Sequence, residues 1–239
     1  MPVDLLVARA RNNDITVLRY GPRRPRGVTI VAGHGYSSSK HNLDSLCSFL
    51  SAQGFSIFSL DFPGHKLGAS GGKLRGLEDC VDAMEAVVDI AQTIDDQPLY
   101  VMGHSMGAMT ALFTAARNPR LKGVIAIGTG YGRPSALAAL KAAGATDFRA
   151  SYVDGVDLSA LVADVGPWYE RYLPQLAGRP CLYVAATKDA MISMTSTREL
   201  YDRAPEPKDF ATVESDHTYA AENSRTEVLQ WLNKLHPRA

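Results

Sequence analysis

Apolar residues in this chain recur with two periods. Short runs rich in β-branched and aromatic residues predict eight strands, at Val3 to Arg9, Ile15 to Tyr20, Val28 to Ala32, Phe55 to Leu60, Leu99 to Met102, Val124 to Ile127, Leu182 to Ala185 and Phe210 to Val213. Between them the spacing turns helical. Leu43, Leu46, Cys47 and Leu50 share one face, as do Leu77, Val81, Met84, Val88 and Ala91. Met106 to Ala116 is apolar nearly all round and stops at Asn118-Pro119, as a helix buried against a sheet should. A last amphipathic helix carries Val228, Trp231, Leu232 and Leu235.

The turn-forming run Asn12-Asn13-Asp14 predicts a hairpin between the first two strands. Most later strands are separated by helical stretches, so parallel pairing is expected from the third strand onward. The pattern predicts an α/β fold, an eight-stranded, mostly parallel, doubly wound sheet with helices on both faces. One stretch, roughly Gly128 to Gly178, interrupts the alternation. It is too short for a second domain and too long for a loop. Residues 1–239 are expected to form one domain with a small cap insert at about 129–178.

Composition narrows the function. Of 239 residues, 46% are hydrophobic and 21% charged, which suits a globular chain rather than a disordered one. Lys plus Arg equals Asp plus Glu at 25 each, leaving no net field to attract polyanions, so no nucleic-acid partner is expected. Arg23, Arg24 and Arg26 lie among prolines and glycines and read as a solvated turn. No apolar window has the length of a membrane span. Cys47, Cys80 and Cys181 are odd in number, two of them on apolar helix faces, and read as reduced core residues of a cytoplasmic protein. Nothing indicates the oligomeric state.

The strand Leu99 to Met102 runs into Gly103-His104-Ser105-Met106-Gly107 and then directly into the apolar helix. A G-x-S-x-G in a strand, turn, helix setting presents its serine on a sharp turn above the sheet, with glycines where a Cβ would clash. Ser105 is therefore the candidate nucleophile. A serine hydroxyl needs a base, and the base an orienting acid. Of the six histidines, His34 and His65 lie in early loops, His41 begins a helix, His104 flanks the serine and His236 sits in the tail. His217 remains, just past the last strand, where the sites of open α/β sheets gather. Asp189, after the preceding strand, is the leading acid; Asp216, next to the histidine, and Asp164, in the insert, are its rivals. The backbone N–H of Met106 is one expected oxyanion donor. The N–H of Tyr36, in Gly33-His34-Gly35-Tyr36-Ser37 after the third strand, is the other.

With the His34-Gly35 loop, the Asp61-Phe62-Pro63-Gly64-His65 loop, the Ser105 turn, Asp189 and His217 in this order, the chain resembles the α/β-hydrolase superfamily over nearly its whole length. It is most similar to the small serine esterases and lipases, among them monoacylglycerol lipases and cinnamoyl esterases. One departure is the longer loop Lys66-Leu67-Gly68-Ala69-Ser70, where those proteins commonly carry a compact Gly-His-Gly-x-Ser. The resemblance implies a serine carboxylesterase acting through an acyl-enzyme on a small-molecule ester. Thioesterase, acyltransferase, perhydrolase, C–C hydrolase and aminopeptidase use the same triad, and some members of the fold are receptors with little turnover. A serine nucleophile argues against the dehalogenases and epoxide hydrolases, which place an aspartate there.

The insert reads as a few short helices, with Ser135 to Ala143 alanine-rich and Val165 to Leu176 carrying Trp168, Tyr169 and Tyr172. Trp168 and Tyr131 are its candidate substrate-binding residues, and its size suggests small to medium esters. Gly128-Thr129-Gly130-Tyr131-Gly132-Arg133 misplaces the third glycine of a dinucleotide fingerprint, and Gly71-Gly72-Lys73-Leu74 lacks the spacing of a phosphate loop. No His-Glu-x-x-His occurs. Neither cofactor nor metal is expected.

Overall fold

The computed structural model describes residues 2–131, 150–163 and 165–237. An eight-stranded sheet runs through it in the order β1-β2-β4-β3-β5-β6-β7-β8. Its strands are β1 (Val3–Ala10), β2 (Asn13–Tyr20), β3 (Thr29–Gly33), β4 (Ser56–Leu60), β5 (Leu99–His104), β6 (Gly123–Ile127), β7 (Cys181–Ala186) and β8 (Lys208–Val213). β1 and β2 pair antiparallel, β2 also runs antiparallel to β4, and every pairing from β3 to β8 is parallel.

The hairpin turn falls earlier than its composition predicts. Pairing continues to Ala10 opposite Asn13, so Arg11 and Asn12 form a two-residue loop and Asn13 and Asp14 enter β2. Arg11 takes a φ of 52°, the left-handed conformation that a tight hairpin imposes.

The described α-helices that flank this sheet are α1 (Asp44–Ala52), α2 (Leu77–Ile94), α3 (Met106–Arg117), α4 (Leu158–Leu161), α5 (Val165–Tyr172), α6 (Met194–Arg203), α7 (Ala220–Asn223) and α8 (Arg225–Leu235). Successive strand residues point to opposite faces, which is why the central strands read as unbroken apolar runs. Val31, Phe58 and Val101 pack beneath Met84, Val88 and Ala111 of α2 and α3. Their neighbours Ile30, Ile57 and Met102 pack beneath Leu46, Leu50 and Leu232 of α1 and α8. Cys47, Cys80 and Cys181 are buried and free.

Two local expectations change. Arg26 is not a solvated turn residue: its guanidinium stacks 4.6 Å from the Phe55 ring centre and donates to Asn233 Oδ1 at 2.6 Å and to the His236 carbonyl, fastening the end of α8. The helix expected over Val165 to Leu176 tightens to a 3-10 turn at Leu173–Leu176, where Pro174 has no N–H to continue the α pattern. The stretch Ser135 to Ala143 and the rival acid Asp164 lie outside the described residues. Among those described, no helix is long and apolar enough to cross a membrane.

The chain order positions the site. From β3 the chain moves outward to β4 and then returns to lay β5 on the other side of β3, so the loops after β3 and β5 diverge from neighbouring strand ends. Gly33 and Gly103 pair at that point. Such a reversal leaves a crevice at the carboxyl edge of the sheet.

Candidate active site

β5 ends at His104, α3 begins at Met106, and Ser105 alone makes the turn between them with φ 56° and ψ −117°. A left-handed φ is costly for a residue with a Cβ and persists only where the surroundings hold it. Here the Ser105 N–H donates to the Ile127 carbonyl at 2.9 Å, tying the turn to β6. Close packing explains the flanking glycines. A Cβ on Gly103 would fall 2.1 Å from the Gly107 carbonyl carbon, and one on Gly107 would fall 2.1 Å from the Gly33 oxygen.

Three side chains distant in sequence meet above this turn. His217, past β8, places Nε2 3.0 Å from Ser105 Oγ and Nδ1 2.7 Å from Asp189 Oδ2. Asp189 follows β7, and its Oδ1 accepts the backbone N–H groups of Met191 at 2.8 Å and Ile192 at 2.7 Å. With Nδ1–H donating to the carboxylate, Nε2 is left to accept the serine proton, the tautomer that base catalysis requires. Asp216 points elsewhere: its Oδ1 accepts from the Tyr219 N–H at 3.0 Å and caps an exposed turn.

The loop after β3 closes on Ser105, with Gly35 so near that its Cβ would stand 3.3 Å from that of Ser105. The N–H groups of Tyr36 and Met106 have no acceptor among the described residues. His34 braces this loop. Its Nε2 accepts the Phe62 N–H at 3.0 Å, so Nδ1 carries the proton and donates to the Gly35 carbonyl at 2.7 Å. Burial, and then the neighbouring His65, push its pKa down to about 3, which keeps the ring neutral. His104, 4.8 Å from the His217 ring centre, is likewise pushed down to about 3 by burial and by His217.

A buried ion pair anchors the far end of the same loop. The Lys40 ammonium donates to Asp61 Oδ2 at 2.5 Å and the Lys40 N–H to Oδ1 at 2.7 Å, while Ala69 N–H donates to Oδ2 at 2.8 Å. Burial opposes the charge on Asp61, but these bonds outweigh it and hold the carboxyl below its ordinary value. Asp61 thus joins the β3 loop to the loop that carries Leu67. Sequence reasoning missed Lys40, a cation in a serine-rich loop with nothing local to mark it as buried.

Over Ser105 lies a cavity of about 310 Å³. Ser37, Ser38, Asn42 and Thr218 line part of it, and Leu67, Tyr152, Leu158 and Met191 another part. The insert reaches the site here: Val153 bridges to His65, Gly155 to Leu74, and the Tyr36 hydroxyl donates to the Val156 carbonyl at 3.0 Å. Trp168 and Tyr131 are not among the residues lining this cavity. Trp168 packs 5.1 Å from the Phe113 ring centre and 5.4 Å from Tyr172, joining the core over α3. Tyr131 lies against Tyr169 at 5.7 Å with the Arg203 guanidinium 4.0 Å from its ring centre. Both are drawn away by aromatic partners, and the residues that do line the cavity sit in irregular segments without a periodic signature.

Among the described residues, no group of three or more His, Cys, Asp or Glu stands close enough to hold a metal ion. The family described as serine aminopeptidase, S33 (Hydrolase_4) matches residues 23–160. The chain is 32% identical over 101 residues to a monoglyceride lipase homolog of Monkeypox virus, a match covering 41% of this chain and 36% of that protein. It is 30% identical over 105 residues to the phospholipase YtpA of Bacillus subtilis (strain 168), covering 43% and 40%. These matches span well under half of either relative. Among solved structures, that of DcsB in complex with its substrate analogue superposes with a TM-score of 0.75 at 15% identity, covering 98% of this chain and 97% of that one. A sheet of this order with the serine turn beside its reversal point is the α/β-hydrolase fold, and the match over more than half of its length means that the chain belongs to the serine aminopeptidase S33 family of α/β-hydrolases.

Proposed function

We propose that the protein is a serine esterase that cleaves small to medium carboxylic esters through an acyl-enzyme. The observation that carries this reading is the hydrogen-bonded chain from Asp189 through His217 to Ser105, ending on a strained turn beneath an open cavity. Ser105 Oγ attacks the ester carbonyl while His217 Nε2 takes its proton and Asp189 stabilises the resulting imidazolium. The developing oxyanion is received by the N–H groups of Tyr36 and Met106. His217 returns its proton to the departing alcohol, and water then releases the acid by the same steps.

A cavity of about 310 Å³ suits a small or medium ester. Its described lining of serine, asparagine, threonine, tyrosine, leucine and methionine supports a substrate without formal charge near the scissile bond. The three free, buried cysteines support a cytoplasmic setting.

The test is a panel of p-nitrophenyl esters, thioesters and aminoacyl anilides turned over by wild type and Ser105→Ala, with fluorophosphonate labelling alongside. Ester turnover and labelling that both vanish in Ser105→Ala are expected. Anilide or thioester turnover far above ester turnover would overturn the ester reading, and labelling that persists in the variant would remove Ser105 from its role.

A further inference from the structure

Tyr36 carries a hydroxyl that packing alone does not require. The residue is 6% exposed and belongs to the apolar core, with its ring in a T-shaped contact 5.8 Å from the His65 ring centre. Phenylalanine would offer the same ring. What tyrosine adds is a donor, and the hydroxyl gives its proton to the Val156 carbonyl at 3.0 Å. Burial, and then the Asp157 carboxylate, push its pKa up to about 12, so it remains a donor through the neutral range.

The acceptor sits on a firmly seated part of the insert. Residues 152–156 are laced to the loop between β4 and α2 by backbone bonds alone. Lys66 N–H donates to the Tyr152 carbonyl at 2.9 Å, Asp154 N–H to the Gly64 carbonyl at 2.8 Å, Leu74 N–H to the Asp154 carbonyl at 2.9 Å and Val156 N–H to the Leu74 carbonyl at 2.8 Å. Gly155, at a φ of 142°, passes so close to Leu74 that a Cβ on it would fall 1.9 Å from the Leu74 oxygen.

The donor end governs a peptide plane. The Gly35 carbonyl and the Tyr36 N–H belong to one planar unit, whose carbonyl His34 Nδ1 holds at 2.7 Å. A single anchor leaves the unit free to swing about that contact. The next residue does not prevent it, because Ser37 holds a φ of 56°, a conformation that is costly for a residue with a Cβ and is kept only under restraint. The phenol supplies a second anchor at Tyr36 itself.

We infer that the Tyr36 hydroxyl is a positioning group that fastens the oxyanion N–H of its own residue to the insert, an inference that rests on the esterase reading and its oxyanion donors. The insert, whose Tyr152 and Leu158 line the cavity, then sets the donor as well as the wall. A donor aimed at the transition-state oxygen does little for the planar ester, so its misplacement lowers kcat and spares KM.

The experiment compares wild type, Tyr36→Phe, Gly155→Ala and the double variant. For each, kcat and KM are measured with p-nitrophenyl butyrate, Ki with phenylboronic acid, whose tetrahedral adduct on Ser105 carries an oxygen in the oxyanion position, and stability by urea unfolding. Tyr36→Phe is expected to lower kcat about 5- to 30-fold, to hold KM within about twofold and to raise Ki by about the factor that kcat loses. Gly155→Ala, which wedges the insert off Leu74, is expected to lower kcat similarly. Because both changes break one link, the double variant should fall within about threefold of the slower single variant. A kcat and Ki within about twofold of wild type in Tyr36→Phe, a loss confined to KM or to stability, or effects that multiply in the double variant would overturn the positioning role while leaving the esterase intact. Should Gly155→Ala fail to fold, the match between kcat and Ki in Tyr36→Phe decides alone. Absence of turnover with every ester in wild type, p-nitrophenyl acetate included, marks the different failure in which the esterase reading falls and takes this one with it.

Discussion

Gly107 stands so close to Gly33 that a Cβ on the first would fall 2.1 Å from the carbonyl oxygen of the second. This contact sets the distance between the serine turn and the loop after β3, and backbone on both sides leaves nothing free to move. Gly107→Ala is expected to cost at least about 3 kcal/mol of stability. Gly71→Ala, with no atom within 4 Å of its added Cβ, should change stability by less than about 0.5 kcal/mol. Urea unfolding of the two variants decides this, and equal midpoints would show that the turn accommodates the methyl.

Asp189, not Asp216, holds the His217 ring. Asp189→Asn is expected to lower kcat by about 10³- to 10⁴-fold with folding retained, since the amide favours the wrong tautomer. Asp216→Asn should fall within about threefold of wild type, because it alters only a turn cap. Steady-state kinetics with one p-nitrophenyl ester compares them, and a reversal of the two effects would transfer the role to Asp216.

Lys40 and Asp61 are buried together, with the ammonium 3% and the carboxylate 0% exposed. Lys40→Met strands a carboxylate away from water and is expected to cost about 3–5 kcal/mol. Adding Asp61→Asn removes the stranded charge and should recover part of that loss. Chemical denaturation of single and double variants is the measurement; a double variant less stable than the single would mean that the charge itself was not the cost.

His34 and His104 both have folded-state pKa values of about 3 against an ordinary 6.5. Between those values the unfolded chain takes up protons that the folded chain refuses. Stability is therefore complete above about pH 6.5 and falls as the pH drops, by up to about 1.4 kcal/mol per pH unit for each histidine. Urea midpoints from pH 7.5 to 4.5 should decline accordingly, with a shallower slope in His104→Gln. A midpoint that rises on acidification would contradict the neutral, buried state of these rings.

Acyl length should matter through the residues that line the cavity. Each methylene buried adds about 0.8 kcal/mol, so kcat/KM across p-nitrophenyl esters from acetate to palmitate should climb, pass a maximum at short or medium chains and then fall. Leu158→Ala should move that maximum to longer chains. Trp168→Ala, which opens a gap over Phe113 instead, should lower stability and leave the maximum in place. A maximum at palmitate would sink the small-pocket reading.

Eight strands could be read from the sequence because their runs are short, β-branched and bounded by glycine, proline or asparagine, and their mostly parallel pairing followed from the helices between them. The meeting of Ser105, Asp189 and His217 was accessible for a related reason: each lies just past the carboxyl end of a parallel strand, and those ends share one edge of the sheet. What escaped lacks that link to the sheet. Trp168 looks like a pocket residue in sequence, yet Phe113 and Tyr172 are too distant along the chain to reveal themselves as its partners. Lys40 and Arg26 look like surface cations until Asp61 and Phe55 fold beneath them. Leu67, Tyr152 and Leu158 meet through an isolated pairing of two irregular segments, His65 with Val153, that no periodicity announces.

In the proposed mechanism the acid and the base lie in the loops after β7 and β8, which follow the serine turn in chain order, with β8 at the margin of the sheet. A ribosome making this chain therefore releases the serine long before the groups that would arm it. On the proposed mechanism, a growing polypeptide does not act on esters until β8 and the loop bearing His217 have docked. On that reading, ester turnover in a cell extract should ignore fragments that stop short of residue 217.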